Sequence, residues 1–395
     1  MVIVKLLIDI SVYKGLKLEK GDEYVMSGAV MKQLLRIYPG GIYQTENFED
    51  LYKGLKFGDL KDDGSEVFIF RSGGIGDVMF MLPLIKHIKK TYPSLKIKVG
   101  TSPMYVDVFE NNPHVFKVVQ MPFSLTEFKK SDHHLIFEGL IEDNPEKSQI
   151  LSAIDLFLDK AEIDFSKIDA GDKIPELYIT EEERSYIKGE IFSLGVSSSK
   201  KKVGIQIEAS SPIRTFPFDK MVSVIKKMME VDVAVFLFGG KNQSSIGNYL
   251  SEIFLEEKNF KNLILPDKPL REAILYASAM DVIVAPDSAF IHIAGGLKVP
   301  VVGLYGCFPS LLRMKYYKNA IGIDCNVICA PSFLHGHSPC EKGSPSPCFS
   351  VVSVDNVVDA INHSLGGKKI QMNYPVYNEF VKGEFIKTPF STLNS

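Results

Sequence analysis

Two short loops carry most of the chemistry legible in this chain. One runs Phe68-Ile69-Phe70-Arg71-Ser72-Gly73-Gly74-Ile75-Gly76-Asp77, and the other Asp281-Val282-Ile283-Val284-Ala285-Pro286-Asp287-Ser288-Ala289-Phe290-Ile291-His292. In each, an apolar strand enters a small-residue turn with an Asp, and an apolar helix follows. In open α/β sheets, ligands bind beyond the carboxyl ends of the strands, where loops meet helix N-termini. One such loop in each half predicts two facing α/β domains with a cleft between them.

Gly73, Gly74 and Gly76 let backbone approach a ligand closely and supply amides at a helix start. The spacing is not the dinucleotide fingerprint, because Met79 stands three places after Gly76. Asp77 has two compatible readings: an N-cap side chain on a helix from Val78, and a general base. A third segment, Gln206 to Pro217, follows another strand and precedes a helix. Its Ser210, Ser211 and Arg214 suit a diphosphate, since Arg offers a fixed fork of donors to phosphate oxygens. The plainer alternative is a polar loop with a solvated Arg. Asp287-Ser288-Ala289 opens a helix whose free amides suit a phosphate. The plainer alternative there has Asp287 or Ser288 capping the helix and His292 as a hydrogen-bonded core histidine.

The elements around these loops alternate. Strands are expected at Glu66–Phe70, Lys96–Gly100, Val115–Met121 and His133–Glu138. The helices among them are Val78–Tyr92, Met104–Glu110 and Ile150–Lys160. The second half repeats the pattern, with strands at Val203–Ile207, Val233–Phe238, Leu263–Leu265, Val282–Ala285 and Val299–Leu304. Helices Phe218–Met229, Gln243–Phe254 and Leu270–Met280 lie between them. Strand–helix alternation implies parallel sheets. The first 62 residues differ: two strands, a short helix from Ser27 to Tyr38 and a further strand predict a small β-rich, barrel-like module without chemistry of its own.

At 395 residues, with 45% hydrophobic and 24% charged residues, the chain is globular and long enough for two or three domains. A net charge of −3 gives no reason to expect nucleic acid. Peripheral contact with a membrane surface stays open. No apolar run reaches the roughly 18–20 residues of a spanning helix. The apolar start, soon interrupted by Asp9, is too short for a signal peptide, so a cytoplasmic location is expected.

Cys325, Cys329, Cys340 and Cys348 are spaced C-x3-C-x10-C-x7-C, with His335 and His337 among them and Cys307 shortly before. Four thiolates suit a tetrahedral zinc or a single iron. The segment is rich in Gly, Pro and Ser, so a metal could supply the order its small core cannot. Two disulfides or four free thiols are the alternatives. A closed four-thiolate site has no open position, so no catalytic metal is expected.

From Glu66 to about Gly366 the chain resembles the family-9 glycosyltransferases, the ADP-heptose:lipopolysaccharide heptosyltransferases and their relatives. Five matches in order carry the resemblance: Arg71 to Asp77 followed by Leu82-Pro83-Leu84; Gly204 to Pro217; Leu237-Phe238-Gly239-Gly240; Ala285 to Ala294; and Val299-Pro300-Val301-Val302-Gly303-Leu304-Tyr305-Gly306. The resemblance implies the GT-B fold, two Rossmann-like domains facing a cleft, and inverting, metal-independent sugar transfer from a nucleotide sugar such as ADP-heptose. It implies a glycan, lipopolysaccharide or protein as acceptor. Asp77 matches the base, with Gly73, Gly74 and Gly76 in the acceptor loop. Arg214 matches the basic residue on the donor phosphates, and Asp287, Ser288, Ala289 and His292 match the donor loop and helix. The cysteine cluster resembles the iron finger of bacterial protein heptosyltransferases.

The chain departs from the family by Arg for Lys at 214, by Ser288-Ala289 for Thr-Gly, and by Asn242-Gln243-Ser244 where acidic residues are usual. The last change weakens the case for heptose. The implied division is an acceptor domain over 63–180 and a donor domain over 181–366 that includes the Cys-rich segment 324–349. A module over 1–62 and a tail over 367–395 flank them. A GT-B nucleotide-sugar epimerase and an inactive binding or assembly module are the rival readings.

Overall fold

Strands that are apolar on both faces need cover on both sides. Val233–Phe238, Val282–Pro286 and Val301–Tyr305 are buried along their whole length. In this computed structural model they belong to a six-stranded parallel sheet. Its order is Phe260–Asn262, Val233–Phe238, Lys201–Gln206, Val282–Pro286, Val301–Tyr305, Ala320–Asp324. The chain winds outward one way from Lys201–Gln206 and then the other way from Val282–Pro286. The reversal point lies between those two neighbours, which is where doubly wound sheets bind ligands.

The structure describes residues 1–11, 17–47, 57–264, 268–325, 327, 329, 330, 332, 347–366, 377–381 and 384–387. They form two compact units, Met1–Leu140 with Phe157–Ile168, and Ile141–Leu156 with Asp169–Ser395.

The first unit holds a second parallel sheet, ordered His133–Ile136, Glu66–Phe70, Lys96–Thr101, Lys117–Gln120. Its reversal point lies between Glu66–Phe70 and His133–Ile136. The helix Ile75–Thr91 leaves the first of these and carries Pro83 inside it. An interior Pro costs a helix about 3 kcal/mol. Burial of every side chain from Val78 to Ile85 offsets that cost.

The barrel expected at the N-terminus is an open antiparallel sheet among the described residues, ordered Ile42–Asn47, Val2–Leu6, Glu23–Met26, Phe123–Ser124. Its last strand comes from between Lys117–Gln120 and His133–Ile136 of the parallel sheet. One face packs Ile3 and Val25 against Phe68, Phe70 and Phe128. The other is covered in part by Leu34 from the helix Gly28–Ile37.

In the second unit, Asp155 is wholly buried and accepts bonds from Lys173 Nζ at 2.8 Å, Lys315 Nζ at 3.0 Å and the Tyr316 hydroxyl. Burial alone pushes its carboxyl up, but these donors outweigh it and hold the carboxyl below its usual range. A carboxyl depressed on folding contributes stability above its unfolded pKa, about 3.9, and loses it as pH falls through the folded value. The urea midpoint should therefore drop on acidification below about pH 4. Asp155→Asn should reduce that acid dependence; equal acid slopes in the two proteins would show that Asp155 does not contribute.

Candidate functional site

In the first unit, the residues after Glu66–Phe70 turn back onto the residues after His133–Ile136. Arg71 is 3% exposed and reaches both. Its Nη1 donates to the Phe137 carbonyl at 3.0 Å, and its Nη2 to Asp77 Oδ2 at 3.0 Å. Ser72 donates its backbone N–H to Glu138 Oε2 at 2.9 Å and its hydroxyl to Glu138 Oε1 at 2.5 Å. The loops that leave these two neighbouring strands thus meet at the reversal point of the sheet.

The helix begins at Ile75, with Gly74 as N-cap, so Asp77 is its third residue. The N-cap role read for Asp77 is not what the structure shows, because Gly74 holds the cap position and Ile75 and Gly76 are already helical. Its side chain pairs with Arg71 and stays 22% exposed. No bond to Oδ1 occurs among the described residues. The Tyr105 phenol is pushed up, first by burial and then by the Asp77 charge. Gly73 is fixed by close approach: a Cβ there would stand 2.6 Å from Arg71 Nε. Gly74 has open space around it apart from Asp77, and Gly76 lies within the first helical turn.

In the second unit, the loop after Lys201–Gln206 meets the loop after Val282–Pro286. Arg214 Nη2 donates to Ser210 Oγ at 2.6 Å, and Nη1 donates to the Asp287 carbonyl at 3.3 Å. The Arg214 Nη1 to Asp287 Oδ2 distance is 3.6 Å. The solvated-Arg alternative fails, since the Arg214 side chain is only 21% exposed and that of Asp287 6%. Arg214 Nε and Asp287 Oδ2 are both buried without a hydrogen-bond partner among the described residues. Unsatisfied buried groups cost about 1–3 kcal/mol each and call for an explanation. A ligand that accepts from Arg214 provides one for Nε. Ser211 is buried, and its carbonyl accepts from the Arg214 N–H and the Thr215 hydroxyl, holding the bend that aims Arg214.

Ser288 is the N-cap of the helix Ala289–Gly296, but its side chain caps nothing. Its hydroxyl donates to Gln206 Oε1 at 2.5 Å instead. Asp287 does not cap the helix either; its carboxylate faces Arg214. His292 is buried, with Nδ1 2.8 Å from the Tyr317 hydroxyl. Burial first, and then the Arg313 charge, push its pKa down to about 3, so it is neutral. His292 thus has a buried, hydrogen-bonded place on the helix Ala289–Gly296. Cys307 lies nearby: burial, then the Asp287 charge, raise its thiol to about 12.

Cys325 and Cys348 share the core under the six-stranded sheet. The Cys325 thiol donates to the Gly306 carbonyl at 2.9 Å, and its contact with Cys348 is the leading cause that raises its pKa. Cys307, Cys325, Cys329 and Cys348 form no disulfide. Among the described residues no three His, Cys, Asp or Glu gather as a metal site. Cys340, His335 and His337 lie outside those residues.

Sequence reading did not single out Arg71 as a site residue and missed Glu138 and Gln206. Their partners follow from which strands are neighbours in the sheet, and strand order is not written in the local pattern. No helix among the described residues is long and apolar enough to cross a membrane.

Residues 129–338 match the family model for glycosyltransferase family 9 (heptosyltransferase). Lipopolysaccharide heptosyltransferase 1 of Campylobacter coli is 21% identical over 311 residues, covering 67% of this chain and 88% of that protein. The structure of the E. coli ADP-heptose lipopolysaccharide heptosyltransferase II aligns with a TM-score of 0.56 at 18% identity, over 76% of this chain and 98% of its own. The iron-containing dodecameric glycosyltransferase TibC of enterotoxigenic E. coli aligns with a TM-score of 0.52 at 11% identity, over 92% of this chain and 90% of its own. These structures share the GT-B fold that the sequence resemblance implied.

Proposed function

The chain belongs to glycosyltransferase family 9 and is a glycosyltransferase, and from that premise we propose that it inverts the anomeric centre of a sugar carried on a nucleoside diphosphate. One observation carries the reading most: in the second unit, Arg214, Ser210 and Asp287 come together at the reversal point of the sheet. The donor is ADP-heptose or a close analogue, and the acceptor a hydroxyl of a lipopolysaccharide, another surface glycan or a protein. The protein works in the cytoplasm, with peripheral membrane contact where the acceptor is a lipid.

Asp77 removes the proton from the acceptor hydroxyl as its oxygen attacks the anomeric carbon. The bond from that carbon to the diphosphate oxygen breaks, and the electron pair leaves with the nucleoside diphosphate. Attack opposite the leaving group inverts the centre. Arg71 holds Asp77 Oδ2, leaving Oδ1 for the hydroxyl. Gly73, Gly74 and Gly76 keep the acceptor loop free of side chains. Arg214 offsets the charge that grows on the leaving diphosphate. The backbone amides at Ser288 and Ala289 face the same phosphates from the helix start. A thermal-shift screen against nucleoside diphosphates and their sugars tests the reading. A bound ligand at 100 times its Kd adds about 2.7 kcal/mol of stability. No shift with any of them at millimolar concentration would remove the donor assignment.

The cysteine segment forms a structural metal site in the same proposal, with zinc or iron on Cys325, Cys329, Cys340 and Cys348. Cys325 and Cys348, buried in one core, fit two adjacent ligands; Cys329 is exposed and would have to move in to join them. Bound there, the metal supplies local order to 325–348. Elemental analysis of anaerobically purified protein should find about one metal per chain, the stoichiometry of a four-thiolate site. Cys348→Ser should release it and expose the segment to proteolysis with donor affinity retained. Metal-free protein whose thiols alkylate freely in the native state would overturn this.

A further inference from the structure

The glutamines beside the donor loop each make one donated and one accepted hydrogen bond, and together these bonds reach into neighbouring loops. Gln206 Nε2 donates to the Glu208 carbonyl at 3.2 Å, and Gln243 Nε2 donates to the same oxygen at 3.4 Å. At one end, Gln206 Oε1 accepts from the Ser288 hydroxyl. At the other, Gln243 Oε1 accepts from the Gly240 N–H at 2.7 Å. The backbone partners fix the direction of both amides, since a carbonyl only accepts and an N–H only donates. The Ser288 proton is thereby committed to Gln206. The result is one continuous chain from Ser288 through Gln206, Glu208 and Gln243 to Gly240.

That chain joins three loops that the backbone does not otherwise connect: those after Lys201–Gln206, Val233–Phe238 and Val282–Pro286. Gly239 is shaped to admit it, because a Cβ there would stand 2.6 Å from Gln243 Oε1. A carboxylate at 206 or 243 accepts but cannot donate when ionised, so it would break the chain at Glu208.

We propose that Gln206 and Gln243 are positioning residues, whose amides meet on the Glu208 carbonyl and preset the loops that hold Arg214 and Asp287 for a diphosphate. This rests on the donor reading above. It also gives Ser288 a different part: its hydroxyl has only lone pairs left to offer, so the side chain acts through Gln206 and not on phosphate oxygens. Gln243, three residues beyond Gly240, serves loop geometry and does not read the sugar.

A double-mutant cycle tests it, using Ser288→Ala and Gln243→Met, two residues with no bond to each other. The probe is whichever of ADP, GDP, UDP or CDP binds the unaltered protein most tightly. Each single variant should weaken that nucleotide about three- to tenfold, the worth of one or two ordinary hydrogen bonds. If the chain acts as one unit, the double variant should lose little more than either single one. Amide exchange at Gly240 should speed up in Ser288→Ala although no bond joins the two residues. Donor KM should rise with acceptor KM unchanged, and urea unfolding confirms that each variant is folded. Losses that simply multiply, with Gly240 exchange unchanged in Ser288→Ala, would overturn the proposal. Arg214→Ala separates the two ideas: if it binds nucleotide as the unaltered protein does, the donor reading fails. A non-additive change in Gly240 exchange across the cycle would still establish the chain as one structural unit.

Discussion

Asp77→Asn should lower kcat by about 10²–10⁴-fold, the usual range for loss of a general base. Asparagine is nearly isosteric, and its amide oxygen can still accept from Arg71 Nη2, which lies 3.0 Å from Oδ2. The helix start does not depend on the side chain, since Asp77 makes no cap. The fold and the donor affinity should therefore survive, and the loss should sit in the chemical step. Arg71→Met should have a smaller effect on kcat than Asp77→Asn, because it frees the base without removing it. It should also cost stability, because the buried guanidinium links the Phe137 carbonyl to the helix start. Single-turnover kinetics with saturating donor would separate these outcomes. Transfer at the unaltered rate by Asp77→Asn, with or without a small loss of stability, would mean that the residue is structural only.

The second large effect is expected at Arg214. Charge-assisted bonds to phosphate contribute about 1.5–3 kcal/mol each, so Arg214→Ala should weaken nucleoside diphosphate binding by roughly ten- to a hundredfold. The rate of transfer should fall as well, because charge on the leaving diphosphate is largest in the transition state. Arg214→Lys should restore part of both. It returns the charge, but one ammonium cannot repeat the fork that reaches Ser210 Oγ and the Asp287 carbonyl together. The Ala variant leaves Asp287 buried without its partner, so its stability must be measured alongside. Calorimetric titration is the readout, and equal nucleotide affinity in Arg214→Ala and the unaltered protein would sink the phosphate assignment.

Much of the scaffold could be read from the chain because its strands are short apolar runs bounded by turns. Val233–Phe238 and Phe218–Met229 fall where the pattern places them. Less regular segments moved. A strand expected at Leu263–Leu265 is found at Phe260–Asn262, where Phe260 supplies the buried contact and the flanking residues are only half buried. The edge strand Ala320–Asp324 was not read at all. A short stretch with a central Gly and a terminal Asp carries little β signal, and pairing with Val301–Tyr305 decides it.

The site divides in the same way. Asp77 and Arg214 could be picked from residue type next to a strand end. The cap at Asp77 and the cap at Ser288 are local readings that tertiary partners override: Arg71 and Gln206 respectively. Glu138 and Gln206 gain their meaning only once the strand order makes their loops neighbours.

The central claim is that this protein transfers a sugar from a nucleoside diphosphate with Asp77 as base. Its most direct test is release of free nucleoside diphosphate from a panel of nucleotide sugars that includes ADP-heptose, measured with and without lipopolysaccharide, glycan and protein acceptors. The expected result is release from one donor that needs an acceptor, yields a product with inverted anomeric configuration, and falls by at least about a hundredfold in Asp77→Asn. Release at the same rate from Asp77→Asn, or a product that retains the donor's configuration, would contradict it.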